Sequence, residues 1–303
     1  MIEIIHVSDL HFGKKTIKSR NLLKKIKEKY EFGGDKYTYM LVTGDITDNG
    51  IEREHQLAVK YLKPFAKYVH IVPGNHDYEG TGFWYSKKAA IRFDTILCPE
   101  LGVRHKFFPK KPYFKLLDDK KGTKALIIGL NSCSKTPLFF DIAEGKIGDE
   151  QLRELQKILG SQDYKQIPKI VFLHHIPHRA VKSIGMDLRD REKLMRVVTN
   201  KIDACSFGHS GGMREIVKKN RRKPLTKAER AKIKMIEKQI TTKKERAKLE
   251  RAKDRIINGA RMKMKRSRAH GIYFLNANKS PEDQACFSIK VDGKKIWPEL
   301  VQL

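Results

Sequence analysis

Five short clusters along the chain carry the residue types that bind cations and move protons: Asp9-x-His11, Gly44-Asp45, Gly74-Asn75-His76-Asp77, His174-His175 and Gly208-His209. Each follows a short apolar run, namely Ile2 to Val7, Tyr39 to Val42, Val69 to Val72, Lys169 to Leu173 and Ala204 to Phe207. Runs of this length read as buried strands, and Pro73-Gly74 stops one of them abruptly. Asp9 and His11 are spaced i, i+2, so both can point the same way at a strand end. Carboxylates, imidazoles and one amide oxygen suit Mn, Fe or Zn, and the lack of cysteine in the clusters argues against a structural zinc site. The candidates Asp9, His11, Asp45, Asn75, His174 and His209 exceed what one ion needs. Two ions sharing a carboxylate at about 3.5–4 Å would clamp both oxygens of an in-line displacement at phosphorus. A lone Asn-His-Asp is usually a polar turn; its recurrence in kindred form at successive strand ends is what points to chemistry.

The elements that must position these residues alternate between strand and helix. Leu22 to Tyr30 and Glu52 to Lys63 have helical spacing, the second with Leu57, Tyr61 and Leu62 as its apolar face. Phe83 to Ile96 reads as a helix ending near Cys98-Pro99. Asp149 to Leu159 is amphipathic, with Leu152, Leu155 and Leu159 inward and Asp149 as cap, and about Asp190 to Thr199 forms a further helix. Strands are expected at Tyr113 to Leu117, at Lys124 to Leu130 before Asn131-Ser132, and as a late pair at Gly271 to Asn276 and Ala285 to Val291. This alternation predicts an α/β fold, in which the carboxyl ends of parallel strands face one crevice.

Composition adds a partner class. The 303 residues are 40% apolar, which suffices for a sizeable core, but 64 Lys and Arg against 35 Asp and Glu leave a formal charge of +29. Such a surface attracts polyanions, nucleic acid first among them. Arg214 to Arg268 holds 23 Lys or Arg against 6 Asp or Glu, a net +17 and more than half of the excess. Capping-box patterns at Thr226-x-x-Glu229 and Thr242-x-x-Glu245, helical faces at Ile233, Ile236, Ile240 and at Leu249, Ala252, Ile256, and a stop at Asn258-Gly259 make 213–270 an inserted basic helical hairpin. It has no aromatic residue for stacking on bases, so sequence-independent nucleic-acid contact through 214–268 is the expected role, with an acidic protein surface as the alternative. Cys98, Cys133, Cys205 and Cys286 are isolated and read as reduced core thiols. The N-terminus lacks a signal-peptide pattern and no run approaches the ~20 apolar residues of a membrane span, which together predict a cytoplasmic protein without a membrane partner.

As an ordered set, the five clusters resemble the motifs of the calcineurin-like metallophosphoesterase superfamily, and Leu130-Asn131-Ser132 and Gly148-x-x-Gln151-Leu152 match its accessory segments. The resemblance covers Met1 to Gly212 and resumes near Gly271, leaving 213–270 outside it. It implies a four-layer α-β-β-α sandwich with a central double β-sheet, formed by 1–212 and 271–303. It also implies two divalent metal ions bridged by Asp45, one held with Asp9 and His11, the other with Asn75, His174 and His209. His76, oriented by Asp77, would stabilise or protonate the leaving oxygen as a metal-activated hydroxide attacks phosphorus. Gly211 stands where the fifth motif usually carries its last His, so the first ion lacks one ligand; His270, water or substrate phosphate could take its place. The implied function is phosphodiester hydrolysis on nucleotides or nucleic acid, including a nuclease. The alternative is a nucleic-acid-binding protein on a weakened phosphoesterase scaffold. His175 and His178 fit packing and substrate contact equally. His6, His55, His70 and His105 fit structural or exposed positions, and Phe12, Trp84 and Tyr85 fit the core better than base stacking.

Overall fold

The computed structural model describes residues 1–33, 37–78, 85–134, 144–177, 188–209, 214–218 (as backbone), 272–278 and 280–303. The chain divides into two units, Met1–Lys218 with Ile272–Leu303, and Lys219–Gly271; the second, with most of the expected hairpin, lies outside the described residues.

Two mixed sheets build the first unit. One has the order β11-β10-β1-β2-β3, with β1 (Ile2–Val7), β2 (Thr38–Thr43) and β3 (Val69–Val72) parallel and β10 (Ala285–Asp292) antiparallel beside β1, followed by β11 (Lys295–Gln302). The other runs β4-β5-β6-β7-β9-β8. Within it, β5 (Lys124–Gly129), β6 (Lys169–Phe172), β7 (Ala204–Phe207) and β9 (Ile272–Asn276) are parallel, between antiparallel edges β4 (Tyr113–Asp118) and β8 (Arg214–Lys218).

Period-two alternation explains why the sheets stack. Ala125, Ile127, Ile170, Phe172 and Ala204 join Ile2, Ile4, Met40, Val42 and Ile71 in the larger core cluster, whereas Leu126, Ile128, Leu130, Val171, Leu173, Cys205 and Phe207 form a second cluster. That second cluster is closed by α5 (Asp149–Gly160), through Leu152, Leu155 and Leu159, and by α6 (Arg191–Val198), through Leu194 and Val198. Helices α1 (Thr16–Lys29) and α2 (Glu52–Leu62) join the larger cluster through Leu22, Leu23, Ile26, Ala58 and Leu62. The result is the four-layer α-β-β-α sandwich that the resemblance implied. Burying both faces of β1, β2 and β3 explains why they are continuous apolar runs rather than alternating ones.

Several expectations are corrected. The late pair does not close the chain: β9 lies beside β7 and β10 beside β1, in different sheets, and a further strand, β11, follows β10. Two strands went unread. β8 occupies Arg214–Lys218, at the start of the stretch assigned to the hairpin, and β11 contains Pro298, which an edge strand tolerates because one side of it donates to no neighbour. On α2 the buried side is Glu54, His55, Ala58 and Leu62, while Leu57 and Tyr61 are half-buried. The helix expected at Phe83 to Ile96 is α3 (Lys87–Arg92), a π turn at Phe93–Leu97 and α4 (Cys98–Glu100), with Phe83 and Trp84 outside the described residues. The turn carries Asp94, whose carboxylate accepts the Phe107 and Phe108 amides at 2.9 Å each.

Candidate metal centre

Parallel pairing does not stop where β1 and β2 end. Asp9 N, His11 N and Phe12 N donate to the carbonyls of Gly44 (3.1 Å), Asp45 (2.8 Å) and Ile46 (2.8 Å), so the two loops continue side by side over the sheet. They do so in an unusual backbone conformation: φ is +60° at Asp9, +43° at His11 and +49° at Asp45, and +76° at His209 after β7. Non-glycine residues avoid this region unless their surroundings over-determine it, and such strain concentrates at functional sites. Two glycines let the loops close. A Cβ at Gly74 would overlap the amide and carboxylate of Asp45, and one at Gly208 would overlap Ser8 Oγ and Asp9 Oδ2.

This packing brings all six sequence candidates together. One ligand atom from each of Asp9, His11 and Asp45 falls within 4.8 Å of the others, as does one from each of Asp45, His174 and His209. Asp45 belongs to both groups. Its Oδ2 stands 3.2 Å from His174 Nε2 and 3.7 Å from His11 Nε2, while Oδ1 accepts the His76 amide at 3.0 Å. Asn75 Oδ1 lies 3.1 Å and His209 Nδ1 3.0 Å from the same His174 Nε2. The His209 amide donates to Asp9 Oδ2 at 3.2 Å, which ties the end of β7 to the end of β1.

The donor set itself fits a cation. His174 Nδ1 lies 2.8 Å from the Thr43 carbonyl, which can only accept, so the proton sits on Nδ1. In the neutral ring Nε2 then turns a lone pair towards the oxygens of Asp45 and Asn75. Only positive charge between them, a proton or a metal ion, reconciles that arrangement. Without an ion the proton takes the place: burial alone would lower the pKa of His174, but the Asp45 carboxylate and, more weakly, Asp9 push it up to about 9. Burial would likewise raise Asp45, yet the imidazoles of His174, His76 and His11 hold its carboxyl well below the usual range.

The residues that steer the imidazoles differ from expectation. His76 was expected to be oriented by Asp77; instead His76 Nδ1 donates to the Asp48 carbonyl at 2.7 Å. Asp77 is fully buried, and its carboxylate accepts Gly74 N (2.9 Å), Ile46 N (3.2 Å), Thr47 N (2.7 Å) and Thr47 Oγ1 (2.8 Å). It clamps the β2 and β3 loops together. Asp48, missed in the sequence, bonds His11 Nδ1 through Oδ1 at 3.1 Å and forms a third group of potential ligands with His11 and His76. The signal was present, since Asp48 follows Asp45 by three residues in the same loop, but nothing in its spacing distinguishes it from turn chemistry.

His175 is buried and lies 2.8 Å from Ser132 Oγ through Nδ1, with its ring 4.6 Å from that of His209. The accessory segments meet reciprocally: Gln151 Oε1 accepts the Asn131 amide at 3.0 Å and Gln151 Nε2 donates to the Asn131 carbonyl at 2.9 Å. Phe12 is core, stacked on Tyr61, and Tyr85 is half-buried against the core. His6, His55 and His70 are buried. Trp84, His178, Gly211 and His270 lie outside the described residues.

Comparison with known proteins gives this centre a family context. A family model for calcineurin-like phosphoesterase matches residues 2–212. A curated protein of Arcobacter nitrofigilis, the probable glycerophosphodiester phosphodiesterase GpdQ, is 26% identical over 155 residues, 51% of this chain and 46% of that protein. The chain thus spans about half the length of the curated relative it matches. Among solved structures, a dimetal phosphatase from Danio rerio superposes with a TM-score of 0.58 at 11% identity, over 99% of this chain and 98% of that one. At that identity the likeness is one of fold.

Proposed function

From the premise that this chain belongs to the calcineurin-like phosphoesterase family, we propose that it is a two-metal phosphodiesterase. The observation that carries the reading is Asp45, shared between two convergent ligand groups at the meeting point of five strand ends. Asp9, His11 and Asp45 would hold one divalent ion; Asp45, Asn75, His174 and His209 would hold the other. Divalent ions at such a centre supply Lewis acidity towards a phosphoryl oxygen and a water made nucleophilic near neutral pH. The chain's own residues do the rest. Thr43 holds His174 in one tautomer. Asp48 holds His11 and His76 in theirs. His76, with its Nδ1–H engaged by the Asp48 carbonyl, turns Nε2 towards the leaving oxygen and would hand it a proton from the doubly protonated ring.

The diester preference draws on the Arcobacter relative's name and on the charge of 214–268, whose net +17 favours a polyanionic substrate such as nucleic acid. Gly211, in the place of a usual ligand, motivates the competing reading of a nucleic-acid-binding protein on a weakened scaffold. Hydrolysis of bis(p-nitrophenyl) phosphate with added Mn separates the two. The enzyme reading expects turnover that Asp45→Ala abolishes and Gly211→His raises. A wild-type chain that folds, takes up the metal and still turns over nothing would leave binding as the function.

A further inference from the structure

Glu54 lies in the first turn of α2, where carboxylates commonly stand in solvent beside the positive end of the helix, yet it is only 5% exposed. Its Oε2 accepts two consecutive backbone amides, Asp48 N at 3.1 Å and Asn49 N at 2.7 Å, and its Oε1 accepts Asn49 Nδ2 at 3.2 Å. Room for the carboxylate comes from Gly13, where a Cβ would overlap Oε1, so Glu54 also fills the loop that carries His11.

The Asn49 N–H and the Asp48 C=O are two ends of one planar peptide unit and point in opposite directions. Glu54 grips the N–H end; His76 Nδ1 donates to the carbonyl end at 2.7 Å. The same residue, Asp48, reaches His11 Nδ1 with its side chain. Rotation of that peptide would withdraw the acceptor from His76, and the Asp48 amide, which Glu54 also grips, fixes the backbone from which the carboxylate facing His11 projects. We propose that Glu54 is a positioning residue for both imidazoles, acting through the backbone amides on either side of the Asp48 Cα. This deepens the phosphodiesterase reading and rests on it for its kinetic consequence only.

The test compares Glu54→Gln and Glu54→Ala in the full chain with Mn. Glutamine retains an oxygen for the two amides and loses only the bond from Asn49 Nδ2, which keeps its other acceptor, Asp48 Oδ2 at 3.2 Å, so activity stays within about 3-fold of wild type. Alanine lowers kcat by about 10- to 100-fold with KM little changed, the range typical of lost supporting hydrogen bonds. The loss is larger on a dinucleoside monophosphate, whose alkoxide leaving group needs a proton, than on bis(p-nitrophenyl) phosphate, whose leaving group does not. Equal losses on both substrates would overturn the proposal in favour of a merely structural role. If wild type turns over neither diester, the phosphodiesterase reading fails, and 15N-histidine NMR decides on Glu54 alone. At a pH where the ring is neutral, His76 should be a single Nδ1–H tautomer in wild type and Glu54→Gln, and a mixture in Glu54→Ala. An unchanged tautomer in Glu54→Ala would refute the positioning role.

Discussion

Asp77→Asn separates two roles that the same carboxylate could have. In the structure it holds four donors, two on each oxygen, and none of these four bonds involves the ring of His76. Asparagine keeps one oxygen and turns an NH2 towards the other pair, so two hydrogen bonds to a buried charge are lost. At about 1.5–3 kcal/mol each, the cost is about 3–6 kcal/mol. Burial raises the Asp77 pKa and the nearby Asp45 charge raises it further, so neutralising it also relieves repulsion, which favours the lower figure. About 3 kcal/mol at roughly 2–4 °C per kcal/mol for a domain of this size is a fall in Tm of about 6–12 °C. Thermal unfolding followed by circular dichroism reads it directly, and activity measured well below the new Tm should drop much less steeply than for Asp45→Ala. A variant that melts within about 2 °C of wild type but loses more than about 100-fold in kcat would refute the clamp and return Asp77 to the chemistry.

The remaining predictions concern packing and protons. Gly74→Ala places a methyl group against the Asp45 carboxylate, so it should weaken divalent-ion binding, seen as a smaller rise in Tm on adding Mn, at a stability cost of about 1–3 kcal/mol; unchanged ion affinity would show that the two loops are not in the close contact described. His6 and His70 are lowered by burial to about 3, and His55 and His175 are lowered by the same cause. These rings stay neutral when folded and take protons only when unfolded, so stability is full above about pH 6.5 and falls as the pH drops towards 3. Between pH 7 and 5 the loss is about 2 kcal/mol each for His6 and His70; urea titration should show it, and His6→Phe should flatten the slope. A midpoint that does not move across that range would contradict neutral burial.

The candidate centre was legible because its residues sit at the ends of runs that only strands explain, and because the types recur. Leu152, Leu155 and Leu159 announced the buried face of α5 for the same reason, a period matching the geometry. What stayed hidden has a common cause: hydropathy reads apolar faces and is blind to polar burial justified by hydrogen bonds. Glu54 looks like a solvated helix residue until the amides of Asp48 and Asn49 are in place, and Asp77 looks like a catalytic neighbour until its four loop donors are seen. Positive φ at Asp9, His11, Asp45 and His209 is equally silent, since no glycine marks it. Strand β11 was hidden by Pro298 and by the charged Lys295 and Glu299, both of which suit an edge.

The placement of β10 has a consequence in time. Strand β1 carries Asp9 and His11 at its end and pairs on one side with β2, which is translated within about forty residues; its other side pairs Ile2 with Val291 and His6 with Phe287. At roughly 5–20 residues per second of synthesis, the first strand waits on the order of 15–60 s for that neighbour. By the time residue 209 is added the ribosome-bound chain holds every candidate ligand, and one flank of the sheet beneath them stays open to pairing with other chains until β10 follows. The ligand-bearing strand ends are therefore complete before the strand that seals β1 is made, and a transcript truncated after β9 would yield a product with an intact ligand inventory and an unguarded edge.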